Sequence, residues 1–179
     1  LPFVGGLLFL LIAVKYIHKE TFTQLTTSRK KIDWKRVRFS FFFWGILSSA
    51  MVLLDYYFSP DDYVLNFKLV PFLILAAISI LLIPLQTSFE EYLFRGYLMQ
   101  GLGVITKNRW FPLLMTSLVF GGMHYWNPEV DKLGNIIMVY YIGTGLFLGI
   151  ITLMDEGLEL ALGFHAANNL FTALLVTAD

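Results

Sequence analysis

The sequence predicts an all-α, polytopic transmembrane helical bundle, and three observations carry that prediction. Of its 179 residues, 57% are hydrophobic and 15% charged, against about a quarter charged in an ordinary soluble domain. The apolar residues gather into long continuous runs, several approaching the roughly 20 residues a helix needs to cross the hydrocarbon core. These runs lack the period-two alternation between turn signals that a membrane β-barrel requires. A mean hydropathy of +0.68 agrees. About seven crossings are expected.

Taken in order, Leu1 to Val14 reads as the end of a span, with the natural N-terminus expected upstream of Leu1. The stretch of about 15–38 carries eight of the thirteen Lys and Arg, so the positive-inside rule makes it a cytoplasmic loop. Phe39 to Phe58 is the second span and holds one acid, Asp55; the Ser59 to Asn66 loop, with Asp61 and Asp62 and no base, suits the far side. Leu69 to Leu85 is the third span, begun or kinked by Pro71 and ended near Pro84. Phe89 to Leu102, Trp110 to Trp126, Ile136 to Met154 and Leu158 to Val176 complete the set. Alternation then puts Thr106 to Arg109 outside and Asn127 to Gly134 inside, against the preference of Lys107 and Arg109. Trp34, Trp44, Trp110 and Trp126 fall mostly near predicted span ends, as interfacial anchors. With no internal repeat and no Pro/Gly/Ser-rich linker, residues 1–179 read as a single membrane-embedded domain, its motif-bearing core about 69–179.

Thirteen bases cancel thirteen acids, which leaves no basic surplus for a nucleic-acid partner. The chain has no cysteine, and therefore no disulfide, thiolate nucleophile or Cys-ligated zinc. Chemistry must come from the polar residues within the spans. Each ionisable group there costs about 2.5–3.5 kcal/mol on the insertion scale, which makes it a functional-site hypothesis. Glu90, Glu91 and Arg95 interrupt an aromatic run; Glu91 precedes Arg95 by four, the favourable order for an ion pair on one helix face. Glu90 points about 100° away from Glu91, so the two acids can serve different tasks. His124 ends Phe120-Gly-Gly-Met-His124, where two glycines let a neighbouring helix approach. His165 and Asn169 share a face of the last span, beside the small Ala166 and Ala167. Asn168 is offset from that face and reads as a hydrogen bond to another helix; His18, beside the basic loop, reads as interfacial.

A buried carboxylate, two imidazoles and an amide from three helices can activate water. A carboxylate with a histidine is a general base, and a second histidine with an asparagine can stabilise an oxyanion. The same Glu90, His124 and His165 make a two-His, one-carboxylate set, so an open hydrolytic zinc site is the second reading. No HExxH pair supports it. Glu91 and Arg95 can equally be a structural pair.

Glu90-Glu91-x-x-x-Arg95, Phe120-x-x-x-His124 and His165-x-x-x-Asn169, in that order on separate helices, resemble the three motifs of the CAAX protease and bacteriocin-processing (CPBP or Abi) family. The resemblance runs from about Ser88 to the C-terminal end. It implies a CPBP/Abi-like fold and an intramembrane endopeptidase related to the Ras-converting CAAX endopeptidase. By that resemblance Glu90 with His124 activates the hydrolytic water, His165 with Asn169 stabilises the oxyanion, Arg95 holds the acids in place, and Glu91 and Phe120 complete their motifs. It further implies a metal-free glutamate mechanism with no cofactor. A peptide or membrane-protein substrate, a lipid environment and a prokaryotic cell membrane are the expected surroundings. The alternative function is a non-catalytic membrane partner or self-immunity protein of the same fold. A small transporter is disfavoured by the absence of repeats and paired broken helices.

Overall fold

The computed structural model describes residues 2–176, so Leu1, the first residue of the first predicted span, lies outside the described residues. The described residues form helices joined by short loops: α1 (Pro2–Tyr16), α2 (Phe22–Thr26), α3 (Trp34–Phe58), a 3-10 turn (Pro60–Asp62), α4 (Leu69–Glu91), a π-helical segment (Tyr92–Leu98), α5 (Met99–Thr106), α6 (Trp110–Gly122), α7 (Pro128–Leu133), α8 (Ile137–Asp155) and α9 (Glu159–Leu175). Among the described residues there is no strand, only an isolated bridge between Thr27 and Gly157.

Local chemistry starts these helices where polar groups can take their free backbone donors. Thr21 and Gln24 form a reciprocal capping box on α2. The Asp33 carboxylate accepts from Lys35 N at 3.0 Å to open α3, and the Asn108 side chain accepts from Trp110 N at 2.7 Å to open α6. Lys107 and Glu156, both at left-handed φ near 51°, end α5 and α8.

Among the described residues three helical stretches are long and apolar enough to cross a membrane: Trp34–Phe58, Leu69–Thr106 and Ile137–Asp155. Pro2–Tyr16 and Trp110–Gly122 are shorter apolar helices. The second stretch corrects the sequence reading. Leu69 to Leu85 and Phe89 to Leu102 are not two crossings but one continuous rod of 38 residues. Pro84 sits inside it rather than ending it. A proline is tolerated inside an apolar membrane helix; the carbonyl it leaves without a helical donor is Ile80 O, four residues back, while the Thr87 hydroxyl donates to Ile83 O at 3.0 Å in the turn that follows.

Removing one crossing reverses the expected topology of the second half. The Thr106 to Arg109 turn now shares an end with the basic loop: Gln100 donates to Leu25 O at 3.2 Å, and Leu158 N donates to Thr26 O at 2.8 Å. Arg29 binds Asp155 at 3.0 Å and Glu159 at 3.4 Å, and Arg36 also pairs with Asp155. This basic end therefore contains the α1–α3 loop, the α5–α6 turn and the α8–α9 turn. Lys107 and Arg109, awkward in the predicted topology, now lie where the positive-inside rule wants them. The opposite, acidic end holds the α3–α4 loop with Asp61 and Asp62, and α7 with Glu129 and Asp131.

Close approaches lock the bundle around its centre. A Cβ on Gly163 of α9 would collide with Val37 O and the Ser40 hydroxyl of α3, so the two helices cross nearly in backbone contact. Gly121 of α6 meets Ile142 of α8, and Gly145 of α8 meets Ser117 of α6, in the same manner.

Candidate active site

Three parts of the bundle supply the polar residues: the α4 rod, the turn after α6, and α9. The end of α4 brings Glu90 and Glu91, the π-helical segment brings Arg95, the turn after α6 brings His124, and α9 brings His165 and Asn169. Glu90, Glu91, Arg95 and His165 are buried, with exposures of 7%, 0%, 1% and 3%.

Glu91 is the hub. Its Oε1 accepts from Arg95 Nη1 at 2.9 Å and lies 2.7 Å from His165 Nδ1. A carboxylate so held by arginine makes Nδ1 the protonated nitrogen of His165. Arg95 also donates to Gly145 O at 2.9 Å, which ties the acid pair to α8. The second nitrogen, His165 Nε2, faces Glu90 Oε2 at 3.6 Å and Asn169 Nδ2 at 3.4 Å. Glu90 Oε1 accepts from Gln86 Nε2 at 3.2 Å, whereas Glu90 Oε2 is buried and has no hydrogen-bond partner. Glu91 Oε2 and Asp155 Oδ2 are likewise buried without a hydrogen-bond partner among the described residues.

His124 joins this cluster by a different route. α6 ends at Gly122, so His124 stands in the following turn rather than within a span. Its Nδ1 lies 2.8 Å from Phe120 O, which leaves Nε2 as the free acceptor. Its ring stacks on Tyr141 with centroids 4.5 Å apart and 22° between planes. Among the described residues no hydrogen bond joins His124 to either glutamate. Contact runs instead through the Phe120 ring, whose centroid is 5.0 Å from His124 and 5.9 Å from His165 and lies 4.5 Å from the Arg95 guanidinium carbon. Phe120 thus touches all three motifs at once.

The sequence alone passes over three contributors. Gln86 sits four residues before Glu90, a spacing that could have flagged it. Tyr140 and Tyr141 carry no such signal, because aromatic residues near span ends are common anchors. Asn168 makes the interhelical bond expected of it, accepting from Trp44 Nε1 at 3.1 Å, and donates to Tyr140 OH at 3.4 Å. Trp44 is accordingly not an interfacial anchor. α3 begins five residues before the predicted Phe39, which carries Trp44 inside the bundle against Phe164, with ring centroids 4.2 Å apart. His18, on the basic end, is hydrogen-bonded to Tyr97 OH at 2.9 Å.

The zinc reading requires three convergent donors. Among the described residues no three His, Asp or Glu side chains form such a group, and His165 Nδ1 is already committed to Glu91.

The fold and these residues define a helical membrane protein with acids, imidazole and amide enclosed between its helices. Residues 66–171 match the family model described as type II CAAX prenyl endopeptidase Rce1-like, and this stretch contains all seven motif residues. The chain belongs to that family, which is a protease family. It is also 35% identical over 167 residues to the uncharacterized protein YyaK of Bacillus subtilis (strain 168), covering 93% of this chain and 56% of that protein. The chain therefore spans little more than half the length of that relative. No solved structure matches it significantly.

Proposed function

We propose that the chain is an intramembrane endopeptidase that hydrolyses a peptide bond of a membrane-associated peptide or protein, using Glu90-activated water and no metal. The observation that carries this reading is the buried Glu90 carboxylate set beside His165 Nε2, 3.6 Å from its Oε2, with the Asn169 amide 3.4 Å from the same nitrogen. Glu90 takes a proton from water, and the resulting hydroxide attacks the scissile carbonyl carbon. Negative charge gathers on the carbonyl oxygen, where Asn169 Nδ2–H and His165 Nε2–H donate to it. For Nε2 to donate, His165 must carry both ring protons, with Glu91 accepting the one on Nδ1. When the C–N bond breaks, the proton on Glu90 passes to the leaving amine. His124, its Nδ1 proton held by the Phe120 carbonyl, offers Nε2 as a second base beside Glu90. Arg95 and Phe120 position these groups without touching the substrate.

New protein termini, read by mass spectrometry in membranes containing the wild type or Glu90→Gln at equal levels, test the reading. Termini found only with the wild type, and found equally in the presence of a chelator, are the expected result. Identical termini in both would overturn proteolysis, and loss on chelation would overturn the metal-free mechanism. Family membership makes a lipidated carboxy-terminal peptide the first synthetic substrate to try.

A further inference from the structure

Away from the candidate active site, a cavity of about 470 Å³ opens at the basic end, where the α5–α6 turn meets α8. Met99, Gly103, Pro112 and Leu153 form its apolar floor, with Met99 and Pro112 buried. Lys107 and Arg109 stand exposed at its rim, and no acid lines it. Arg29, Arg36 and Arg95 each pair with a carboxylate. Among the described residues Lys107 and Arg109 have no such partner, and the Arg109 guanidinium lies 6.0 Å from the Trp110 ring instead. Between them the Asn108 side-chain oxygen accepts from Trp110 N at 2.7 Å, which leaves its NH2 group as a further donor at the rim. The cavity thus offers two uncompensated cations and an amide above an apolar floor.

The residues around it fix its depth. Val104 and Ile105 are each 78% exposed and Trp110 62%, so this turn is flanked by apolar side chains without protein cover. In a membrane helix such side chains face lipid, and an exposed tryptophan at a span end marks the headgroup level. Ten of the thirteen Lys and Arg lie at this end, Lys107 and Arg109 among them, so the positive-inside rule sets it in the cytoplasmic leaflet. That leaflet carries the anionic lipids, and basic pockets between membrane helices on that side suit their headgroups. We infer that the cavity is a binding site for an anionic phospholipid of the cytoplasmic leaflet. Its phosphate sits between the Lys107 ammonium, a point charge, and the Arg109 guanidinium, a planar fork. The first methylenes of an acyl chain cover Gly103, Pro112 and Leu153. The inference is independent of the proposed proteolysis.

Trp110 lies beside the cavity and can report its occupant. With Trp34, Trp44 and Trp126 changed to Phe it is the one indole left of the four. In phosphatidylcholine vesicles, a minor fraction of brominated phosphatidylglycerol should quench Trp110 several-fold more than the same fraction of brominated phosphatidylcholine. Lys107→Asn/Arg109→Gln should abolish that preference at an unchanged melting temperature, because asparagine tolerates the left-handed backbone of position 107. Lys30→Gln/Lys31→Gln, which removes the same charge from the same end, should leave it intact. Equal quenching by the two lipids, or a preference lost equally in both double variants, would overturn the site. Loss of the preference in inorganic phosphate, but not in chloride of equal ionic strength, would overturn the lipid as its occupant in favour of a free anion. In the protein with all four tryptophans, native mass spectrometry should find phosphatidylglycerol retained over phosphatidylcholine, and lost from Lys107→Asn/Arg109→Gln; retention unchanged in that variant would equally overturn the site.

Discussion

At the scale of single residues, the two adjacent glutamates have different surroundings and should fail differently. Glu91 is locked by Arg95 and His165, and breaking a buried charged pair from one side costs about 3–5 kcal/mol. Arg95→Met should therefore lower thermal stability strongly, and the double variant Glu91→Gln/Arg95→Met should recover part of the loss, measured by the melting of purified protein in one detergent. Glu90, with only Gln86 and a distant imidazole, should tolerate Glu90→Gln with an unchanged melting temperature and no cleavage. The sequence made this division readable, since four-residue spacing pairs Glu91 with Arg95 and leaves Glu90 without a base. It did not make readable which imidazole meets which acid. That depends on how α9 rotates against α4, and it set His165 rather than His124 within hydrogen-bonding and ion-pair reach of the glutamates. Phe120 joins the two histidines by ring contact, so Phe120→Leu should reduce kcat with little effect on folding, seen as slower cleavage by a protein with normal melting.

At the scale of elements, composition located the apolar runs, while their joints escaped it. Pro84 reads as a stop because proline removes a backbone donor, yet apolar membrane helices tolerate an internal proline and α4 runs through it from Leu69 to Glu91. The π-helical turn that follows was equally hidden, since Arg95 and Gly96 in Tyr92–Leu98 mark a polar site and a small residue but not a change of helix type. π-Turns are rare and often mark functional sites, and this one carries Arg95 to both Glu91 and Gly145. The α3–α9 crossing gives the element-scale prediction. Gly163→Ala should sharply destabilise the fold by pushing α9, and with it His165, away from α3. Gly143→Ala, in open space on α8, should be silent. Comparing the two melting temperatures separates the crossing from the general effect of replacing a helical glycine.

At the scale of the whole molecule, the loop between α1 and α3 is a structural part of the bundle rather than a charged tether. Arg29 and Arg36 converge on Asp155, Arg29 and the Asp33 amide reach Glu159, and Ser28 N donates to Glu156 O at 3.0 Å. The sequence showed the loop's charge but not its fastening, because the partners lie more than a hundred residues away. Asp155→Ala should free it, visible as rapid proteolytic cutting near Lys30 and Lys31 in inverted vesicles while the wild type resists.

The Trp44 contact makes the protein its own optical reporter. An indole bonded to Asn168, the neighbour of Asn169, and packed on Phe164 is a fluorophore placed beside the candidate site, while Trp34, Trp110 and Trp126 are at least 58% exposed. With those three changed to Phe, the emission of the remaining tryptophan would shift whenever a peptide displaced Asn168. Peptide binding beside Asn169 could then be followed in real time, without any label.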